Sequence, residues 1–428
     1  MSILIQNVPG IFPDCSLRGC DVYIQAGLIA GIDAPPQNFK AERVVDGAGK
    51  LLIPGLVNSH THSYMTLLRN VADDLKFHDW LFGKILPLEE RLTPEDCYWG
   101  TQLGILEMLR TGTTCFADMY IFKDAAAEAV TDAGARAVLS RGLACLDADK
   151  ADGARRLQEA ADEVAAWSSH DNLSFMLAPH AAYTCDPGYQ REVAAAARQL
   201  NVGIHTHISE STREVAEITA QYGKSPVALM AENNLLTSRT LAAHCVHLDT
   251  ADIALLAAQK VSVAHNPVSN LKLANGCAPV PDLMAAGVNV CLGTDGAASN
   301  NTLNLFGDLR MATLLHKGIS GNPETVTAAE GFVMATQNGA RALGLSDKIG
   351  QLAVGFAADL VLLDMNLPQM QPQNNPLAAL SYSASGHEVC MSMINGQILY
   401  ENGTYPTMDA ERILHEVRQI CKRIGTLI

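Results

Sequence analysis

The chain has 428 residues, of which 48% are hydrophobic and 18% are charged, a composition that excludes a disordered or coiled-coil protein. Its 30 basic and 45 acidic side chains leave a formal net charge of −15, so neither nucleic acid nor an anionic membrane surface is an expected partner. No segment approaches the roughly 20 apolar residues of a membrane span, and the amino terminus lacks the features of a signal peptide. The 11 cysteines form no Cys-x-x-Cys pair. We therefore expect a cytoplasmic protein with reduced thiols, acting on a small molecule and compatible with a homo-oligomeric state.

Both ends of the chain contain short β-rich segments. The amino-terminal ones are residues 3–7, 21–26 and 28–32, and the carboxy-terminal ones are residues 358–363 and 388–397. Turn residues separate them. They predict one small β-sandwich domain assembled from residues 1–55 and 346–428, closed by an amphipathic helix at about residues 408–424.

The middle of the chain alternates apolar strand patterns with helical patterns. Eight strands are predicted, at residues 56–62, 114–118, 136–143, 173–180, 202–209, 241–245, 261–267 and 288–295. Helices are predicted between most of them, for example at residues 152–167, 187–200 and 249–260, and one helix has Thr93 as its N-cap followed by Pro94. This alternation favours a (β/α)₈ barrel of the TIM type over residues 56–345. An open doubly wound sheet is the alternative, but no Gly-x-Gly-x-x-Gly motif follows a predicted strand.

Polar side chains recur where the predicted strands end, which is the edge at which barrel enzymes build their active sites. These residues are His60, His62, Asp118, Arg141, His180, His207, His244, His265 and Asp295. So many histidines at strand ends are hard to explain by packing alone. The pattern therefore predicts a functional site at the carboxyl ends of the strands.

A subset of these residues has the chemistry of a metal site. His60 and His62 are two apart on a strand and point to the same face. His205 and His207 repeat that spacing on the fifth strand, so either of them can supply a third nitrogen. Asp295 ends the eighth strand, where a buried carboxylate needs a cation. Three nitrogens and one carboxylate predict one catalytic Zn²⁺ per chain, with Fe²⁺ or Mn²⁺ as alternatives.

Two further residues are predicted to be catalytic. His244, on the sixth strand, can orient a metal-activated water. Glu210, three residues beyond His207, is a candidate proton shuttle.

Five segments resemble the amidohydrolase superfamily, and the resemblance covers nearly the whole chain. Residues 52–62 (LIPGLVNSHTH) resemble the first metal motif of that superfamily. Residues 349–361 resemble the segment in which the chain of these proteins leaves the barrel and re-enters the sandwich domain. Residues 242–248, 265–273 and 293–301 resemble, within that superfamily, the 5′-methylthioadenosine/S-adenosylhomocysteine deaminases.

The resemblance implies roles that the spacing leaves open. It implies that His207 is the third metal ligand rather than His205, and that Asp295 contacts both the metal and the attacking water. Glu210 would hold the purine edge and protonate a ring nitrogen, while His244 would polarise the water. The remaining substrate contacts that it implies are Glu89 and His180 at the ribose hydroxyls, Trp80 at the pocket wall, and Arg141 and Arg155 at the carboxylate of S-adenosylhomocysteine.

The predicted function is hydrolytic deamination of 5′-methylthioadenosine, S-adenosylhomocysteine or a related adenosine, giving the inosine analogue and ammonia. The alternative keeps the mechanism but takes guanine, an oxidised purine or an s-triazine as substrate. Cyclic-amide hydrolysis is disfavoured because the fourth strand ends in Ala178-Pro179-His180 rather than in a bridging lysine. A non-catalytic binding protein on the same scaffold is the third class considered.

Overall fold

The computed structural model describes residues 2–146 and 150–427. Its strands fall into two sheets. The strands are β1 (Ile3–Ile11), β2 (Leu17–Gln25), β3 (Leu28–Ile32), β4 (Arg43–Asp46), β5 (Lys50–Pro54), β6 (Leu56–Thr61), β7 (Thr113–Tyr120), β8 (Arg136–Leu143), β9 (Leu173–Pro179), β10 (Gly203–Ile208), β11 (Thr240–His244), β12 (Ser262–His265), β13 (Asn289–Leu292), β14 (Leu360–Asp364), β15 (Val389–Ile394) and β16 (Gln397–Glu401).

Helices connect the strands of the central part and close the chain. They are α1 (Phe77–Trp80), α2 (Leu86–Glu89), α3 (Pro94–Arg110), α4 (Lys123–Ala133), α5 (Lys150–Trp167), α6 (Pro187–Leu200), α7 (Thr212–Tyr222), α8 (Pro226–Glu232), α9 (Thr250–Ala258), α10 (Pro267–Lys272), α11 (Val280–Ala285), α12 (Leu305–Ser320), α13 (Ala328–Met334), α14 (Gln337–Ala342), α15 (Pro376–Ala378) and α16 (Ala410–Ile424). Short 3₁₀ segments lie at Ser63–Leu68 and Pro368–Met370, and π-helical turns at Leu81–Ile85 and Ala379–Ser383.

The central sheet is a nearly closed parallel barrel. Strands β6 to β13 pair in chain order, each parallel to the next. The last strand meets the first where the backbone N–H of Asp295 donates to the carbonyl of His60 at 2.9 Å. Gly293 permits this approach, because a Cβ there would lie 2.9 Å from the backbone nitrogen of His60. The predicted (β/α)₈ fold is confirmed.

The second sheet is assembled from both ends of the chain. Its order is β16-β15-β14-β5-β1-β2-β3, with β4 paired to β1. Strand β1 continues to Ile11, four residues beyond the predicted segment, because the positive φ of Asn7 belongs to a β-bulge rather than to a turn. This sheet matches the small terminal domain that the sequence predicts, while the exact domain limits at residues 55 and 345 stay a prediction.

A buried ion pair joins the barrel to the second sheet. Arg136, at the start of β8, donates from Nε and Nη2 to the Asp359 carboxylate, at 2.7 and 3.2 Å. The backbone N–H of Asn395 donates to the same carboxylate at 2.8 Å. The two charges compensate each other away from water.

The local helix signals are also present. Thr93 and Asp96 form a reciprocal capping box at the start of α3, as the sequence predicts.

The terminal helix α16 begins at Ala410, two residues later than the sequence predicts. Within the described part of the chain, no helix is both long and apolar enough to cross a membrane.

Candidate active site

The carboxyl ends of the barrel strands bring together a cluster of buried histidines and one aspartate. The candidate ligand atoms of His60, His62 and His207 all lie within 4.8 Å of one another, and the same holds for His60, His244 and Asp295. His60 and His62 share a face of β6 because strand side chains alternate. The sequence-predicted metal residues are therefore neighbours in space.

Backbone carbonyls orient two of the three histidines. His62 Nδ1 lies 2.5 Å from the carbonyl oxygen of Met119, and His207 Nδ1 lies 2.8 Å from that of His180. A carbonyl only accepts, so each Nδ1 carries the hydrogen and donates it. The Nε2 lone pair of each ring is then free to bind a metal.

Asp295 presents one carboxylate oxygen to this cluster. Its Oδ1 lies 3.4 Å from His60 Nε2 and 3.2 Å from His62 Nε2, while its Oδ2 accepts from the hydroxyls of Ser269 and Ser299 at 2.6 and 2.8 Å. These two hydrogen bonds fix the orientation of the carboxylate.

The donor set fits a divalent cation. Burial lowers the pKa of His60 to about 4, so its imidazole is neutral at pH 7. Its Nε2 is buried and has no hydrogen-bond partner. A neutral nitrogen lone pair facing an ionised carboxylate is repulsive unless a cation lies between them, and imidazole nitrogens with a carboxylate oxygen are ligands that zinc accepts.

Glu210 follows β10 and lies at the edge of the cluster. The backbone N–H groups of Ser209 and Glu210 donate to the Glu214 carboxylate at 3.2 and 2.8 Å, and Asn275 Nδ2 donates to Glu210 Oε1 at 3.0 Å. Burial, with a smaller contribution from Asp295, raises the pKa of Glu210 to about 8. A carboxyl group whose pKa is moved towards neutrality is suited to give up a proton during a reaction.

His244 lies beside Glu210, its Nε2 3.7 Å from Glu210 Oε2. Its Nδ1 is 2.8 Å from Asn270 Oδ1, which orients the ring. The backbone φ of His244 is 71°, a left-handed conformation at the end of β11. Such strained backbone is concentrated at functional sites.

A pocket of about 330 Å³ opens next to these residues. Its wall includes four of the residues predicted to contact substrate, together with apolar and aromatic side chains. The predicted residues are Trp80, Glu89, His180 and Glu210. Burial raises the pKa of Glu89 to about 7, and burial lowers the pKa of His180 to about 4.

The two arginines predicted to meet a substrate carboxylate do not line this pocket. Arg141 turns towards α5, where it forms ion pairs with Glu159 and Glu163. Arg155 is 57% exposed and forms ion pairs with Asp152 and Glu159 on its own helix. The next residue, Arg156, lines the pocket instead, since adjacent residues on a helix are about 100° apart around its axis.

Several residues of the site were not singled out from the sequence. Ser269, Asn270 and Ser299 lie inside the segments that carry the family resemblance, so that signal was available. Glu214 and Asn275 lay outside any recognised motif, and only the folded barrel brings them to Glu210.

Comparison with known proteins agrees with this geometry. The model of the amidohydrolase family matches residues 51–399. The chain belongs to the amidohydrolase family. It is 50% identical over 384 residues to the 5-methylthioadenosine/S-adenosylhomocysteine deaminase of Moorella thermoacetica, covering 89% of each chain. It is 46% identical to the protein of the same name from Desulforudis audaxviator, covering 99% of each.

Solved structures of relatives extend the comparison to the fold. An adenosine deaminase from Xanthomonas campestris with bound zinc superposes with a TM-score of 0.94 at 36% identity, covering 99% of both chains. The atrazine chlorohydrolase TrzN from Arthrobacter aurescens, complexed with zinc, gives a TM-score of 0.91 at 26% identity, over 98% of this chain and all of the other. Both relatives thus contain zinc, the ion that the donor set favours.

Proposed function

We propose that the protein is a zinc-dependent aminohydrolase that deaminates 5′-methylthioadenosine, S-adenosylhomocysteine or a closely related adenosine. The observation that carries the proposal is that one pocket is lined by residues of the metal-type cluster, by the buried Glu210, and by Glu89 and His180, which suit a ribose diol. The names of the relatives at 50% and 46% identity support the same substrate class.

The metal would be held by His60, His62, His207 and Asp295. When bound, a divalent ion would lower the pKa of a water molecule to about 7 and would so supply the nucleophile at neutral pH. His244 Nδ1 donates to Asn270 Oδ1, so its Nε2 would accept a hydrogen bond from the attacking water and would orient that water towards C6 of the purine. Glu210 would donate its proton to the ring nitrogen N1 as the water oxygen bonds to C6. Of the two protons of that water, one would return to Glu210 and the other would join the amino group. The C6–N bond then breaks, ammonia leaves, and the product is the inosine analogue.

Glu89 and His180 supply the contacts to the sugar. Among the described residues, no protein group donates a hydrogen bond to the Glu89 carboxylate. His180 Nδ1 lies 3.0 Å from the Thr184 hydroxyl, which itself donates to the carbonyl of Ala181 at 3.2 Å. The His180 Nδ1 therefore donates, and its Nε2 is left as an acceptor. Two acceptors match the two hydroxyl donors of a ribose, whereas guanine and triazines have no such diol.

The 5′ substituent would extend along the apolar wall towards Arg156. This wall includes Trp80, Leu81 and Phe82, which suits a thioether. We assign the contact with a terminal amino-acid carboxylate to Arg156 in place of Arg155, because Arg156 is the one of the pair that reaches the pocket.

The test is a substrate panel followed by absorbance at pH 7, comprising adenosine, methylthioadenosine, S-adenosylhomocysteine, guanine and a chlorotriazine. Deamination of the thioether nucleosides at the highest kcat/KM is the expected result. A preference for guanine or the triazine would refute the nucleoside assignment and leave the metal mechanism standing. Absence of turnover with every compound, in protein shown to contain zinc, would refute both.

A further inference from the structure

His205 lies directly behind the metal-type cluster, without contributing to the pocket. It is fully buried on β10, two residues before His207. Its Nε2 is 2.8 Å from His60 Nδ1, and its Nδ1 is 3.1 Å from the hydroxyl of Ser140. That hydroxyl donates to the backbone carbonyl of Asp118 at 2.9 Å. The contacts form a continuous chain from a backbone carbonyl to His60.

The polarity of this chain is fixed at its far end. The carbonyl of Asp118 only accepts, so it takes the single hydrogen of the Ser140 hydroxyl. The Ser140 oxygen then accepts from His205 Nδ1–H. Both imidazoles are fully buried, which disfavours their charged forms. His205 Nε2 is therefore an acceptor, and it takes the hydrogen of His60 Nδ1.

The consequence is that His60 presents a bare Nε2 lone pair to the cluster. His62 and His207 reach the same state through backbone carbonyls. His60 has only a side chain behind it. Its ring is enclosed by imidazoles, with centroids 4.9 Å from both His62 and His205 and 5.1 Å from His207.

We propose that His205, held by Ser140, is a positioning residue that fixes the tautomer and ring orientation of His60 for metal binding. This inference rests on the metal site proposed above. Hydrogen-bond partners behind metal-binding histidines typically change metal affinity 10- to 100-fold when removed.

The test compares zinc dissociation constants of the full-length apo-protein, measured by competition with a chromophoric chelator. His205→Leu fills the space but removes the acceptor, and we expect it to weaken zinc binding roughly 10- to 100-fold. His205→Gln retains a carbonyl oxygen that can accept from His60, and it should stay within a few-fold of the parent. His316→Leu is the matched control, because this buried imidazole contacts His265 and no residue of the cluster. It should bind zinc like the parent.

Two further measurements separate positioning from a general structural role. The unfolding midpoints of the apo forms of the two His205 variants should agree with each other although their zinc affinities differ. Ser140→Ala should weaken zinc binding in the parent but cause little further loss of affinity in the His205→Leu background, since both changes interrupt the same chain of hydrogen bonds. If His205→Leu does not fold, Ser140→Ala alone tests the proposal.

Parent-like affinity in His205→Leu or in Ser140→Ala would overturn the proposal. Equal losses for His205→Leu and His205→Gln would overturn it as well, because the shape of the imidazole would then matter rather than its acceptor. Failure of the parent itself to bind zinc would instead refute the metal site.

Discussion

Replacing Glu89 with alanine should selectively impair the deamination of ribonucleosides. Glu89 ends α2, lines the pocket and has no protein donor on its carboxylate among the described residues. A hydrogen bond to a charged group contributes about 1.5–3 kcal/mol. Since each 1.36 kcal/mol is a factor of ten, kcat/KM for methylthioadenosine should fall roughly 10- to 150-fold.

The assay compares the riboside with its 2′-deoxy analogue in parent and variant. The deoxy analogue should already be a poor substrate for the parent, and its kcat/KM should fall much less on mutation than that of the riboside. Glu90→Ala is the matched control, because it removes the same charge from the exposed neighbouring position outside the pocket lining. This variant should leave kcat/KM unchanged for both substrates.

The raised pKa of Glu89 adds a pH signature. Burial moves this pKa to about 7, so the ionised acceptor becomes dominant as the pH rises through 7. The KM for the riboside should fall between about pH 6 and pH 8, and this dependence should disappear in Glu89→Ala. Equal treatment of riboside and deoxyriboside by the parent, or a change of less than twofold in the variant, would refute the reasoning.

Four other outcomes are expected. Glu210→Gln should retain metal but lose roughly 10²–10⁴-fold in kcat, and activity within a few-fold of the parent would exclude Glu210 as the proton donor. Elemental analysis should find one divalent metal per chain, and dialysis against a chelator should abolish activity until zinc is restored; two tightly bound ions would contradict this. Arg156→Ala should lower the preference for S-adenosylhomocysteine over methylthioadenosine roughly 3- to 10-fold, whereas Arg155→Ala should not; the reverse pattern would restore Arg155 to the site. Arg136→Met leaves the buried Asp359 carboxylate without its partner and should cost about 3–5 kcal/mol in urea unfolding, and a loss below about 1 kcal/mol would mean that water compensates the charge.

Local rules made much of the architecture predictable from the sequence. The alternation of side chains along a strand is enough to place His60 and His62 on one face. Capping preferences locate the start of α3 at Thr93. The regular alternation of apolar strand and helix patterns predicts the barrel, because parallel neighbours require helical crossovers.

The tertiary structure decided what these rules leave open. Alternation places His205 and His207 on the same face of β10, and only the assembled barrel sets His207 at the rim and His205 behind His60. The choice between Arg155 and Arg156 depends on how α5 is rotated against the barrel. Asn275 and Glu214 reach Glu210 from separate elements. Sequence thus determined which residues share a face of their own element, because that relation is local. Which of them meet across the barrel depends on strand register and helix packing, which are fixed only when the whole core is formed.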